Sequence, residues 1–103
     1  MSAEELRKKI YTNQDGERCL DLSREGLLKV PEAVFDLTEL EELYLSLNYM
    51  KELPTSINKL KNLKTLRLDE NQLRELPQAI AELSNLTVLS VSNSQLSVLP
   101  SRN

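Results

Sequence analysis

Apolar residues recur every 23 residues along most of this 103-residue chain, without an insertion from Glu17 onward. Leu40, Leu63 and Leu86 begin three successive units, and we number the positions within each unit from these leucines. Positions four, six, eleven and fourteen are apolar in every unit, and proline follows at position fifteen: Pro31, Pro54, Pro77 and Pro100. A strict period of roughly 20 to 50 residues is typical of stacked structural repeats. The spacing therefore predicts a solenoid, in which each unit contacts only its neighbours.

Each unit is predicted to contain one strand and one short helical return. Residues 43–45 and 66–68 alternate apolar and other side chains, which is typical of a strand with one buried face. Residues 54–60 and 77–83 begin with proline, which the first turn of a helix tolerates, and then place apolar residues three apart. Units stacked in register would form a parallel sheet on one side, short α or 3₁₀ segments on the other, and a shared leucine core between them.

The pattern of the units, L-x-x-L-x-L-x-x-N-x-L-x-x-L-P-x-x-I-x-x-L, resembles the leucine-rich repeat family over residues 17–103. Its length and its L-P ending are most similar to the intracellular Ras-group type, which bacterial repeat proteins share. The resemblance implies an α/β solenoid with the sheet on the concave side, the short helical segments on the convex side, and binding of other proteins. It also implies that Asn48 and Asn71, at position nine, hydrogen-bond the backbone of adjacent turns. Glu25 and Ser94 replace this asparagine in the first and last units.

The N-terminal segment, residues 1–16, breaks the period and is predicted to form a helical cap followed by a turn. Ser2 and Glu5 fit a capping box, and Leu6 with Ile10 would form an apolar stripe on the helix. An Asp-Gly pair at 15–16 predicts a tight turn before the first strand. A short basic helix on a membrane surface is the alternative. The cap is favoured because solenoids need polar-faced ends.

The rest of the single domain, residues 17–103, is predicted to hold four repeats, the last of them incomplete. The final unit stops three residues after Pro100, and a strand over 88–91 would then leave its backbone donors and acceptors unpaired. Three explanations follow: a longer parent chain, a partner that covers the edge, or weak self-association through this C-terminal edge.

Composition excludes several classes of function. The net charge of −3 argues against nucleic-acid binding, which requires a basic surface. We find no apolar run long enough for a membrane span or signal peptide. Cys19 is the single cysteine, so an internal disulfide is excluded, and a semi-exposed structural thiol in the cytoplasm is expected. The chain has no histidine and no glycine-rich phosphate loop, so we expect neither enzymatic activity nor a cofactor or metal site.

Charged residues at two positions alternate in sign from unit to unit. Position two holds Arg18, Glu41 and Lys64, and position twenty holds Asp36, Lys59 and Glu82. In an in-register stack, opposite charges at equivalent positions attract each other. Both rows are therefore predicted to stabilise the scaffold and not to bind a partner.

The candidate binding residues lie at positions three, five and seven and beside them. They are Glu42, Tyr44, Leu47, Tyr49, Arg67, Asp69, Glu70 and Val88. Tyr44 and Arg67 are adjacent and central, and both types are enriched in binding hot spots. The competing interpretation is that Tyr44 packs on Arg67 and both side chains merely keep the sheet soluble. Positions three, five and seven supply 12 residues, fewer than the roughly 20–30 per partner of a stable interface.

The sequence thus predicts a non-catalytic scaffold that weakly binds an unidentified protein or peptide on its concave sheet face. One alternative is a structural or self-associating unit that uses the C-terminal edge. The other is the recognition segment of a larger protein whose catalytic domain lies elsewhere.

Overall fold

The computed structural model describes residues 1–94. Its helix α1 spans Ala3–Arg7, and its five strands are β1 (Tyr11–Thr12), β2 (Arg18–Asp21), β3 (Glu42–Tyr44), β4 (Thr65–Arg67) and β5 (Val88–Ser90). Three 3₁₀ helices lie between the strands, at Glu32–Asp36, Thr55–Lys59 and Gln78–Glu82. None of the helices in the described part of the chain is long and apolar enough to cross a membrane.

The five strands form one sheet in chain order. Strand β1 is antiparallel to β2, whereas β2 to β5 are all parallel. The register joins equivalent positions of successive units, so that Leu20 pairs with Leu43, Leu43 with Leu66, and Leu66 with Leu89. The 23-residue period therefore becomes the register of the sheet, and the predicted α/β solenoid is confirmed.

Each of the first three units returns from the sheet through a 3₁₀ helix that begins after its proline. Pro54 and Pro77 adopt extended backbone angles, which suits proline because its ring fixes φ. Ile57 and Ile80 then turn inward and are buried. The apolar core lies between the sheet and these helices, and Leu43 and Leu66 are fully buried within it.

The asparagines at position nine join neighbouring units, as the resemblance implies. Asn48 and Asn71 are both buried. The Nδ2 group of Asn71 donates to the carbonyl of Leu45 at 2.9 Å, and its Oδ1 accepts from the N–H of Met50 at 3.0 Å. These bonds satisfy backbone groups that the turn would otherwise bury unpaired.

The N-terminal segment covers the first unit. Ser2 and Glu5 form the predicted capping box, and Leu6 is fully buried. Arg7 anchors α1 to the first 3₁₀ helix and the loop after it, through an ion pair with Glu39 at 2.9 Å and a bond to a backbone carbonyl. The predicted turn is present as well, with Gly16 at φ +77°, and leads from β1 into β2.

The two predicted charge rows differ in the structure. At position two, Glu41 lies 3.6 Å from Arg18 and 3.5 Å from Lys64, which confirms that row. At position twenty the prediction is wrong, because the ion pairs within residues 1–94 include none between Lys59 and the acids on either side. These residues lie at the exposed ends of the 3₁₀ helices, where Asn58 donates to Glu82 at 3.3 Å instead.

The end of the last unit lies outside the described residues. The predicted apolar positions Leu96 and Leu99, together with Pro100, fall in this part of the chain. The incompleteness of that unit therefore stays a prediction, as does the boundary of the four repeats.

Candidate functional site

The candidate site is the solvent side of strands β2 to β5 and the turn residue that follows each strand, which we call the sheet face. It comprises positions three, five and seven of the four units: Cys19, Asp21, Ser23, Glu42, Tyr44, Ser46, Thr65, Arg67, Asp69, Val88, Ser90 and Ser92. The parallel register places equivalent residues of adjacent strands side by side, so Tyr44 neighbours Arg67. Not all of these side chains reach solvent, however, since Thr65 is buried.

Cys19 is buried, with 1% of its surface exposed, so the predicted semi-exposed thiol is wrong. Strand β1 adds an antiparallel neighbour that places Tyr11 opposite Cys19. The thiol donates to the carbonyl of Glu17 at 3.4 Å, and burial raises its pKa to about 11. The thiol is therefore protonated near neutral pH and is a poor nucleophile.

The N-terminal part of the sheet face is organised around Glu42. The hydroxyl of Tyr44 donates to this carboxylate, and the side chain of Asn13 donates to it at 3.2 Å. The hydrogen bond to Glu42, together with partial burial, raises the pKa of Tyr44. Both candidate residues are half-buried, so the ring of Tyr44 is held in place by its own neighbours.

Candidate residues in the C-terminal part are also engaged within the protein. The carboxylate of Asp69 accepts from Ser90 Oγ at 2.6 Å and from the N–H of Ser92 at 2.6 Å. Partial burial opposes ionisation, but the bonds from Ser90 and Ser92 hold the pKa of Asp69 below its usual range. Glu70 is exposed and accepts from the side chain of Asn93.

The side chain of Arg67 is exposed and belongs to none of the ion pairs within residues 1–94, although its charge helps to lower the pKa of Asp69. It lies on β4 between Tyr44 of β3 and Ser90 of β5. Its guanidinium can therefore bind a carboxylate or carbonyl that approaches the middle of the sheet face.

The turn after each strand contains a left-handed residue that the sequence did not reveal. Position eight has φ between 54° and 59° in all four units, at Arg24, Leu47, Glu70 and Asn93. None of these residues is glycine, and an aliphatic side chain is rare in this conformation. Each N–H donates to the position-seven carbonyl of the next unit wherever that unit is described, for example from Leu47 to Asp69 at 2.9 Å. The candidate Leu47 is thus held 40% exposed beside the sheet face.

The two remaining candidates lie at different places. Val88 is on β5 and is 37% exposed, so it extends the sheet face at its C-terminal side. Tyr49 is 56% exposed and lines a depression beside the sheet face together with Leu28, Lys29, Lys51 and Glu52. Sequence reasoning missed Leu28, although it occupies a position where Lys51 and Arg74 stand in the next units.

Within residues 1–94, no group of three or more acidic, cysteine or histidine side chains is placed to hold a metal ion. What the sheet face offers is a mixture of hydrogen-bonded acids, one aromatic ring, serine hydroxyls and the exposed guanidinium of Arg67. Such a surface can bind polypeptide by ion pairing and hydrogen bonding.

Known proteins agree with the architecture. A family model described as a leucine-rich repeat region matches residues 18–102. Among solved structures, the leucine-rich repeat domain of the type III effector XopL is 34% identical, with a TM-score of 0.73 over 80% of this chain and 28% of that chain. A leucine-rich repeat protein of Leptospira interrogans is 26% identical, with a TM-score of 0.51 over 87% of this chain and 36% of that one. No curated protein sequence matches the chain.

The chain therefore spans between about a quarter and about two fifths of the two chains whose structures it resembles. Leucine-rich repeat domains are generally non-catalytic modules for protein–protein interaction. The repeat pattern, the in-register parallel sheet and the family match over residues 18–102 lead to one conclusion. This chain belongs to the leucine-rich repeat family.

Proposed function

We propose that this chain is a non-catalytic recognition module that binds a protein or peptide segment across its concave sheet face, with Arg67 and Tyr44 at the centre. One observation carries the proposal: the guanidinium of Arg67 is exposed and forms no ion pair among the described residues, while nearby Glu42 and Asp69 are occupied by internal hydrogen bonds. Binding an acidic group here would thus leave the internal network of the sheet face intact.

The chemistry of this surface favours a segment that presents a carboxylate or main-chain carbonyls to Arg67. Tyr44 adds a ring whose position is set by its bond to Glu42, so little side-chain entropy is lost when a partner packs on it. The sheet face is small, which favours weak binding of a peptide, a loop or a small domain.

A pull-down that compares three forms of the protein tests this proposal. The wild-type chain, a Tyr44→Ala/Arg67→Ala variant and a control with Thr55→Ala/Lys59→Ala on the convex side are immobilised at equal density. We expect the Tyr44→Ala/Arg67→Ala variant to lose binding of proteins that the wild-type chain and the control variant both capture. Equal capture by all three folded forms, verified by circular dichroism, would refute the role of the sheet face.

A second candidate function is self-association through β5. Val88 and Leu89 are each 37% exposed on this strand, although the leucines equivalent to Leu89 in the preceding units are fully buried. An exposed apolar strand favours pairing with another strand. Sedimentation velocity over a wide range of concentrations tests this idea with Val88→Lys as the variant. A strictly monomeric wild-type chain at the highest concentration would exclude it.

A further inference from the structure

Two strongly exposed apolar side chains lie together beside the sheet face. Leu28 is 76% exposed and Tyr49 is 56% exposed, and both line one surface depression with Lys29, Lys51 and Glu52. We call this depression the lateral groove. It adjoins a second depression that shares Lys51 and Glu52 and continues along the next unit.

The repeat architecture does not require apolar residues at these places. Leu28 occupies position twelve, where the following units have Lys51 and Arg74, and Tyr49 occupies position ten, where the following unit has Gln72. Position eleven supplies the inward apolar side chain, since Met50 is fully buried and Leu27 is partly buried against the core. Because polar side chains serve at the same positions elsewhere, the apolar pair is a local feature of the first two units. Clustered exposed apolar side chains typically mark interaction sites.

The charges around the lateral groove select the kind of partner. Lys29 and Lys51 are exposed and belong to none of the ion pairs within residues 1–94, while Glu52 is the one carboxylate that lines the same depression. The groove is therefore locally cationic on a chain whose net charge is −3. An anionic segment is favoured here and a cationic one is opposed.

Hydrogen bonds join the two turns that carry Leu28 and Tyr49. The N–H of Tyr49 donates to the carbonyl of Leu27 at 2.8 Å, directly before Leu28. The Oδ1 atom of Asn48 accepts from the N–H of Leu27 at 2.9 Å. The turns that carry Leu28 and Tyr49 are thus bonded to each other, and the groove exists before a partner binds.

We propose that the lateral groove binds an extended acidic peptide segment through one large apolar side chain, which contacts Leu28 and Tyr49, and through flanking carboxylates, which pair with Lys29 and Lys51. This binding surface is additional to the sheet face and uses neither Tyr44 nor Arg67. A partner that engages both surfaces would gain the contact area that the sheet face alone lacks.

The probe is the peptide Gly-Asp-Glu-Phe-Asp-Glu-Gly-amide with fluorescein attached to its N-terminal amine, and its binding is followed by fluorescence anisotropy. Amide chemical shifts of the isotope-labelled protein then locate the bound peptide. We expect saturable binding with shifts at Leu28, Tyr49 and Lys51. A peptide with serine in place of phenylalanine, and one with lysine in place of each acid, should bind roughly tenfold or more weakly.

Substitutions taken from the protein's own repeats test the groove without disturbing the fold. Leu28→Lys and Tyr49→Gln introduce the residues that the next unit carries at the same positions, and Lys29→Glu introduces the residue of position thirteen in the next two units. Each should weaken binding of the acidic peptide roughly tenfold. Lys59→Glu makes the same charge change on the convex side and should leave binding unchanged.

Three results would overturn the proposal. They are absence of saturable binding, equal weakening by Lys29→Glu and Lys59→Glu, and chemical-shift changes centred on Arg67. The Tyr44→Ala/Arg67→Ala variant separates the two surfaces, because it should retain full affinity for the peptide. If the pull-down refutes binding by the sheet face, the peptide test of the lateral groove therefore still stands.

Discussion

A single buried amide connects two neighbouring turns of the solenoid. The Oδ1 atom of Asn48 accepts from the N–H groups of Glu25 at 3.0 Å and Leu27 at 2.9 Å. Its Nδ2 group donates to the carbonyls of Leu22 and Leu45, both at 3.0 Å. No aliphatic residue can provide both functions, and an aspartate could accept but not donate when ionised. This explains why asparagine suits the two central units, where the side chain at position nine is buried.

We expect Asn48→Ala to lower the free energy of unfolding by about 3 kcal/mol, because several buried backbone groups lose their partner. Asn62→Ala is the matched control, since Asn62 is exposed and donates one bond, to the carbonyl of Thr38 at 3.0 Å. Asn62→Ala should lower the free energy of unfolding by about 0.5 kcal/mol. Urea unfolding of both variants measures the difference. Equal losses would show that the Asn48 network is replaced by water at little cost.

The left-handed residue at position eight offers a second test at the scale of one residue. Arg24 is exposed and has φ 58°. Asparagine tolerates this conformation better than other residues with a side chain, whereas a β-branched residue is strained there. We expect Arg24→Asn to raise the free energy of unfolding by about 0.5 kcal/mol and Arg24→Val to lower it by about 1–2 kcal/mol. Thermal and urea unfolding measure both changes in the free energy of unfolding. A lower free energy of unfolding for Arg24→Asn would contradict this expectation.

The regular elements were predictable where one local rule decided them. Alternation of apolar residues predicted the strands, and proline followed by apolar residues at a spacing of three predicted the 3₁₀ helices. The backbone of position eight could not be predicted, because Arg24, Leu47 and Glu70 do not favour φ above zero. There the inter-repeat hydrogen bond outweighs the local preference of the residue.

The candidate site was less predictable than the fold for a related reason. The period-two pattern shows which side of the strand a residue occupies, but not what covers that side. Cys19 and Thr65 belong to the sheet face by pattern and are nevertheless buried. The engagement of Glu42 by Asn13 depends on a hairpin that lies outside the repeat pattern.

The position-two row links adjacent strands and makes their stacking depend on pH. The backbone N–H of Arg18 and the ammonium of Lys64 lower the pKa of Glu41 from its ordinary value of 4.5. Its stabilising contribution is therefore complete above about pH 4.5 and is lost as the pH falls through the lower pKa of the folded state. Glu17 pairs with Lys64 at 3.3 Å, and Asn13 and Lys64 lower its pKa. Its contribution to stability is therefore also lost as the pH falls.

We expect Glu41→Gln to reduce the loss of stability between about pH 7 and about pH 3, because glutamine still accepts from the N–H of Arg18 but does not titrate. Glu75→Gln is the control, since Glu75 is exposed and forms no ion pair within residues 1–94. Urea midpoints at several pH values supply the measurement. If both variants show the wild-type pH dependence, the row does not stabilise the stack.

The molecule as a whole is a one-dimensional stack, so its stability depends on how many neighbours each unit has. Leu43 and Leu66 have a unit on each side and are fully buried. Leu89, at the same position of the last described strand, is 37% exposed. The N-terminal side differs because α1 and β1 cover the first unit, and Leu20 is fully buried as a result. The described structure is therefore closed at one end and open at the other.

This asymmetry predicts unequal costs for one substitution at equivalent positions. Leu66→Ala should lower the free energy of unfolding by about 3–4 kcal/mol, because it leaves a cavity in a packed core. Leu89→Ala should cost about 1 kcal/mol, because part of that side chain already contacts solvent. Urea unfolding at low protein concentration measures both losses. Similar values would mean that Leu89 is covered in solution, and a cost of Leu89→Ala that grows with protein concentration would identify a second copy of the chain as the cover.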